Sequence, residues 1–140
     1  MTEKYPRPSV TVDVVIVTLR DNELHVLLIK RETEPYRGKW ALPGGFVDEN
    51  EPLLTAAQRE LREETGVEQG AMEQIHTFGD PGRDPRGWTI SVAHLARVRF
   101  EDVKALAGDD AAEVGWFALN ELPPLAFDHA EIIECVRRHL

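Results

Sequence analysis

The chain has 140 residues, 42% of them apolar and 29% charged; that balance suits one globular domain with a sizeable core and excludes a disordered chain. Twenty-five acidic residues against sixteen Lys and Arg give a formal charge of −9. Such a surface repels nucleic-acid phosphates and argues against a DNA-binding role, yet leaves room for a nucleotide wherever a metal or a few arginines reverse the local field.

The single Cys135 permits no internal disulfide, and MTEKYPRPSV at the N-terminus lacks the apolar core of a signal peptide. The aliphatic runs Val14 to Val17 and Val26 to Ile29 are strand-sized, far below the ~20 residues of a membrane span. A reducing cytoplasm is the expected setting, with no membrane partner.

In chain order, Ser9 to Leu19 is rich in Val and Thr, breaks at Arg20-Asp21-Asn22-Glu23, and resumes apolar from Leu24 to Lys30, which predicts a hairpin of two buried strands. A polar loop from Glu32 to Lys39 leads to Trp40-Ala41-Leu42-Pro43-Gly44-Gly45, where the double glycine invites close backbone approach. Pro52 is placed as the first helical residue and Gly66 as the residue just past the end, bracketing a helix of roughly four turns. Met72 to Phe78 and Thr89 to Phe100 read as strands separated by the turn-rich GDPGRDPRGW, and Ala112 to Leu119 as a last strand. Asp128 is a candidate cap for a C-terminal helix in which Ile132, Ile133, Val136 and Leu140 recur at helical spacing, with Cys135 near that apolar face. The order predicts an α/β domain over residues 1–140, with a mixed sheet between helices.

On a wheel of the internal helix, Leu53, Leu54, Ala57 and Leu61 share one arc, and Glu60, Glu63 and Glu64 cluster at its edge; Thr55, Gln58 and Arg62 take the far side. Three acids beside an apolar stripe repel one another unless a cation neutralises them, and hard divalent ions prefer such oxygen clusters. A solvated, charge-paired helix is the ordinary reading of a Glu-rich stretch, and the surrounding spacing argues against it. In GFVDENEPLLTAAQRELREETGV, Gly45, Glu51, Arg59-Glu60-Leu61, Glu63-Glu64, Gly66 and Val67 fill every fixed position of the Nudix box. A chance match of its seven Gly, Glu and Arg positions is on the order of 10⁻⁸ per start.

The chain therefore resembles the Nudix hydrolases, and the resemblance implies an α/β/α sandwich and a diphosphate-cleaving activity dependent on Mg²⁺, with Mn²⁺ as an alternative. It implies that Gly44, Glu60, Glu63 and Glu64 hold the metal, that Arg59 and Glu51 form a structural ion pair holding the loop from Gly45, and that a carboxylate takes the water's proton. Candidates for that base are Glu60 and Glu63 in the box, or Asp109, Asp110 and Glu113 in AGDDAAEVGW, with Glu113 favoured among the later three. Pro81, fifteen residues beyond Gly66, and the segment FGDPGRDPRGW resemble the corresponding stretch of ADP-ribose pyrophosphatases, which makes Arg83 and Arg86 candidate substrate contacts. Expected products are AMP and ribose 5-phosphate. The alternatives are a housecleaning hydrolase of (d)NTPs or other nucleotides, and a non-catalytic ADP-ribose sensor.

Trp40 reads as a packing residue, Trp88 and Tyr36 as core aromatics before base-stacking ones, and His129 as a helix-start residue. The family's habit of pairing makes a homodimer the expected assembly.

Overall fold

A computed structural model describes residues 5–68, 70–105 and 111–140. The hairpin forms as the valine-rich runs dictate: β1 (Ser9–Arg20) and β2 (Glu23–Arg31) pair antiparallel, Leu19 opposite Leu24. Asp21 and Asn22 both take positive φ, 51° and 65°; short polar side chains tolerate that backbone, and it matches the right-handed twist of the flanking strands.

Two short strands follow, β3 (Trp40–Ala41) on β2 and β4 (Gly44–Phe46) on β1. Next come α1 (Leu53–Thr65), β5 (Met72–Phe78), β6 (Thr89–Arg97), a 3₁₀ turn at Phe100–Asp102, β7 (Ala111–Ala118) and α2 (His129–Arg137). The sheet runs β3-β2-β1-β6-β5, with β4 also on β1 and β7 also on β2. β1 and β6 are parallel and the other pairings antiparallel, the mixed sheet the sequence predicts. Among the described residues no helix is long and apolar enough to cross a membrane.

Side chains alternate across a strand, so β1, buried on both faces, feeds two cores. Val12, Val14 and Ile16 join Leu27, Ala56, Ala57 and Leu61 beneath α1. Val15 and Val17 join Leu28, Leu95, Ile132, Ile133 and Val136 beneath α2. Each fully buried Leu or Ile contributes about 1.5–3 kcal/mol, so both helices are held on the sheet mainly by this burial.

Five local expectations change, one of them Leu140, which lies beyond the end of α2 and is exposed rather than on its apolar face. Pro52 occupies the cap position with extended backbone (ψ 145°) and Leu53 opens the helix, while Gly66 ends it in the left-handed conformation at φ 75°. Leu54 is exposed; the buried side of α1 is carried by Ala56, Ala57 and Leu61 instead. Phe100 leaves β6 for the 3₁₀ turn. Asp128 precedes α2 but makes no side-chain cap bond, since its carboxylate is taken by Arg83.

Gly44 and Gly45 pair with Asp13 and Val12 of β1. A Cβ on Gly44 would lie 2.2 Å from the Val12 carbonyl oxygen and 2.7 Å from Asp13 Oδ1. Backbone on both sides is fixed by the ladder, so Gly44→Ala should cost more than about 3 kcal/mol and lower the melting temperature by about 10 °C or more. Thermal denaturation of the purified variant checks this; a melting point within a degree or two of the parent would show that β4 shifts freely.

Candidate active site

At one end of the sheet the edge of α1, the tip of β4, the end of β2, the loop before β6 and the N-terminus of α2 enclose a cleft. Its lining includes Gly44, Gly45 and Glu64 from the glycine turn and α1, Arg83 and Arg86 from the loop, and Asp13, Arg31, Phe127 and His129.

The three helix acids meet different surroundings. Glu64 is 7% exposed, and its Oε1 accepts the Gly44 N–H at 2.7 Å. Glu60 is half-buried and Glu63 exposed; both accept from Arg59 Nη1, at 2.8 and 3.3 Å. Gly45 makes room for Glu60, because a Cβ there would fall 2.6 Å from that carboxylate.

Arg59 binds Glu51 through two parallel hydrogen bonds, Nε to Oε2 at 2.7 Å and Nη2 to Oε1 at 3.0 Å, and donates again to the Phe46 carbonyl at 3.0 Å. Glu51 also accepts the Asp48 N–H at 3.0 Å. One guanidinium thus gathers the loop after Gly45, the helix and two of its acids. The Arg59 hydrogen bonds, then that of the Asp48 amide, hold the Glu51 carboxyl down at about 2, and Glu51 in turn raises Arg59 further above its ordinary value.

The donor set suits a hard divalent cation: carboxylates on one helix edge, and a glycine turn whose missing side chain leaves space beside them. Among the described residues no three His, Cys, Asp or Glu side chains already stand grouped as metal ligands. Arg59 draws Glu60 and Glu63 to itself, so a cation would compete with it for them.

The loop arginines reach the cleft already paired. Arg83, its side chain 6% exposed, grips Asp128 with Nε at 2.8 Å and Nη2 at 2.5 Å, tying the loop to α2. Arg86 grips the buried Asp84 at 3.0 and 2.8 Å and lies between the rings of Phe46 and Phe127, at 4.8 and 5.1 Å from their centroids. Pro81 is exposed on the outer turn and does not line the cleft. Nor does Glu113, which stands exposed on β7 with Lys30 at 3.3 Å. Asp109 and Asp110 lie outside the described residues. Tyr36 packs on Phe127 at 4.8 Å, Trp40 packs edge-on against Phe117 at 4.7 Å, and Trp88 is half-exposed rather than core.

Sequence reasoning missed a buried polar link beneath the cleft. His129 opens α2 as expected, but its Nδ1 accepts the Leu42 N–H at 3.0 Å, which leaves the proton on Nε2, 3.4 Å from Asp13 Oδ1. Asp13 also accepts the Ser91 hydroxyl. The signal available was Asp13 itself, a carboxylate in a run of valines that must find partners wherever it is buried.

Burial pushes both His129 and the buried His94 below the ordinary imidazole value. A histidine neutral in the fold and protonated when unfolded costs stability as pH falls below about 6.5. Glu51 behaves as a depressed carboxylate, its contribution complete above about 4.5 and lost as pH falls toward 2. The melting temperature should therefore stay level above neutrality and drop first between about pH 6.5 and 5, then again below 4.5. A flat profile between pH 7 and 5 would mean that the two histidines titrate alike folded and unfolded.

Residues 9–136 match the NUDIX domain family. The chain is 45% identical over 130 residues to an ADP-ribose pyrophosphatase of Methanocaldococcus jannaschii, covering 93% of this chain and 73% of that protein. It is 36% identical over 135 residues to the ADPR responsive transcriptional repressor NtrR of Acinetobacter baylyi, covering 93% of this chain and about half, 53%, of the repressor. The NUDIX domain of Shewanella oneidensis NrtR, solved in complex with ADP ribose, superposes with a TM-score of 0.90 at 36% identity, over 96% of this chain and 90% of that one. The chain belongs to the Nudix family. With the box whole and a pyrophosphatase so similar, it is a Nudix pyrophosphohydrolase, a class that generally uses divalent metal ions.

Proposed function

We propose that the protein hydrolyses the diphosphate of ADP-ribose to AMP and ribose 5-phosphate, with Mg²⁺ held by Glu60, Glu63, Glu64 and the Gly44 carbonyl and with Mn²⁺ able to replace it. The observation that carries this reading is that Glu64, on the same edge of α1 as Glu60 and Glu63, lines one cleft with the guanidiniums of Arg31, Arg83 and Arg86, opposite fields suited to a metal-bound diphosphate. When bound, the metal neutralises phosphate oxygens and makes a water acidic enough to attack at neutral pH. The chain's own part is to fix the acids and accept a proton. Arg59 sets the orientation of Glu60 and Glu63, and the Gly44 amide sets that of Glu64. Glu113 stands on β7, paired with Lys30, whereas Glu60 and Glu63 share the edge of α1 with Glu64, which lines the cleft; we therefore read Glu63 or Glu60 as the proton acceptor.

The loop arginines divide in role. Arg83→Ala strands Asp128 and unties the loop from α2; losing a charged hydrogen-bond pair of about 1.5–3 kcal/mol should lower the melting temperature by several degrees. Arg86, its charge already matched by Asp84, should give on truncation a rise of less than about tenfold in KM with kcat preserved. Melting curves and steady-state kinetics on the two variants check the division; a large KM effect from Arg83→Ala at unchanged stability would reverse it.

We place the protein in a reducing cytoplasm as a homodimer, consistent with its lone buried Cys135 and the family's habit of pairing. A second reading, an ADP-ribose sensor without turnover, is favoured by the 36% identity to the repressor NtrR. Incubating the protein with Mg²⁺ and ADP-ribose, NADH, diadenosine polyphosphates and nucleoside triphosphates tests both readings. Turnover strongest on ADP-ribose supports the first, and ADP-ribose binding without turnover of any substrate supports the second.

A further inference from the structure

The connector between β3 and β4, Leu42-Pro43, lies outside both strands and delivers the chain to Gly44. Proline has no N–H, so the connector carries a single backbone donor, that of Leu42, in a residue only 2% exposed. A buried amide left without a partner is strongly disfavoured, so whatever takes this one fixes where the connector sits. The Leu42 N–H donates to His129 Nδ1 at 3.0 Å, and the Pro43 carbonyl accepts the Val14 N–H at 2.8 Å. The next donor along, the Gly44 N–H, goes to Glu64 Oε1 at 2.7 Å. Successive donors of the turn are thus taken by side chains of the two helices that cover opposite faces of the sheet, His129 of α2 and Glu64 of α1.

Imidazole suits this place because its two nitrogens act differently. Nδ1 must be bare to accept from Leu42, which puts the proton on Nε2, and Nε2 faces Asp13 Oδ1 at 3.4 Å. Ser91 donates to the other Asp13 oxygen, so the carboxylate that orients the ring is itself held. All three side chains are buried, and Asp13 stands opposite Gly44 in the ladder of β1 and β4. Packing alone does not favour such a set, since apolar side chains of similar volume hold a buried site as well or better. The chain of contacts runs from β6 through β1 and α2, and it ends on the one backbone donor ahead of the glycine turn.

We propose that His129, oriented by Asp13 and Ser91, is a positioning residue for the metal centre: it fixes the Leu42 amide, and with it the direction in which the turn presents the Gly44 carbonyl. The role rests on reading Gly44 as a metal donor. Groups one step removed from a metal orient the ligands that touch it, and losing one lowers metal affinity about 10- to 100-fold.

The test is calorimetric titration of Mn²⁺ into the unsubstituted protein, His129→Gln, His129→Asn and Ile133→Val, with a melting curve on each preparation. Asparagine carries its carbonyl oxygen where imidazole carries Nδ1 and keeps an acceptor for Leu42; glutamine reaches as far as Nε2 and keeps a donor for Asp13. Ile133, buried on α2 away from the turn, controls for loosening of the helix. His129→Gln should weaken Mn²⁺ binding roughly ten- to a hundredfold. His129→Asn and Ile133→Val should bind like the parent, even where their melting temperatures fall. Should either His129 variant fail to fold, replacing the Leu42 amide by an ester, with every side chain kept, removes the same donor and should weaken Mn²⁺ binding in the same way. Parent-like affinity in His129→Gln or in the ester overturns the proposal and leaves the metal reading standing, as does equal weakening in His129→Asn or Ile133→Val. No Mn²⁺ binding by the parent overturns the metal reading and the proposal with it.

Discussion

Glu64→Gln should lower kcat by at least roughly a hundredfold, because a metal clamp supplies several kcal/mol of transition-state stabilisation and each 1.36 kcal/mol is a factor of ten. The fold should survive. Glutamine is the same size, and its amide oxygen still accepts the Gly44 N–H that Glu64 takes at 2.7 Å. Removing one of three neighbouring carboxylates also relieves like-charge repulsion, so the melting temperature should hold or rise slightly. Glu63→Gln should lose turnover in the same way with even less effect on stability, since Glu63 is exposed. Kinetics at saturating divalent cation with a melting curve on the same preparation settle each residue. Near-parental turnover would remove that glutamate from the metal set, and lost turnover with a collapsed fold would make it a packing residue.

Arg59→Ala should damage stability and activity together. The side chain is 18% exposed and holds Glu51, Glu60, Glu63 and the Phe46 carbonyl at once, so its removal leaves Glu51, only 11% exposed, without its cation. Glu51 then loses both hydrogen bonds that tie the loop to the helix, and the melting temperature should fall by several degrees. Turnover should fall by more than the loss of folded protein explains, since Glu60 and Glu63 lose the group that orients them. Arg59→Lys should recover part of the stability and little of the geometry, because a point charge cannot span both Glu51 oxygens. Lost activity at an unchanged melting temperature would instead make Arg59 a substrate contact.

The metal-side half of the site is legible in the sequence because it is local. Glu60, Glu63 and Glu64 share a helix edge by their spacing alone, Pro52 and Gly66 mark the helix ends to within one residue, and Glu51 lies one loop away from Arg59. The hairpin is equally plain, because β1 and β2 are long enough to show their pattern. The substrate-side half depends on contacts between distant segments. Asp13, Arg31, Phe127 and His129 meet only when β1, β2 and α2 reach the same end of the sheet, and no spacing records that. Arg83 and Arg86 are visible as charges in a loop, but their carboxylates are not: Asp128 looked like a helix cap because its partner Arg83 is far away in the chain. β3 and β4, two and three residues long, are too short to carry any periodicity. Leu54 shows the opposite error, an apolar residue placed inside by the wheel and left in solvent, while Ala56, Ala57 and Leu61 carry the buried side of the helix.

Product analysis after incubating ADP-ribose with Mg²⁺ and either the parent protein or Glu64→Gln tests the reaction and its site together. The parent should yield AMP and ribose 5-phosphate in equal amounts, formation should stop with a chelator, and Glu64→Gln, folded and melting as the parent does, should yield at least roughly a hundredfold less in the same time. Intact ADP-ribose with the parent protein, or equal product from both proteins, would contradict it.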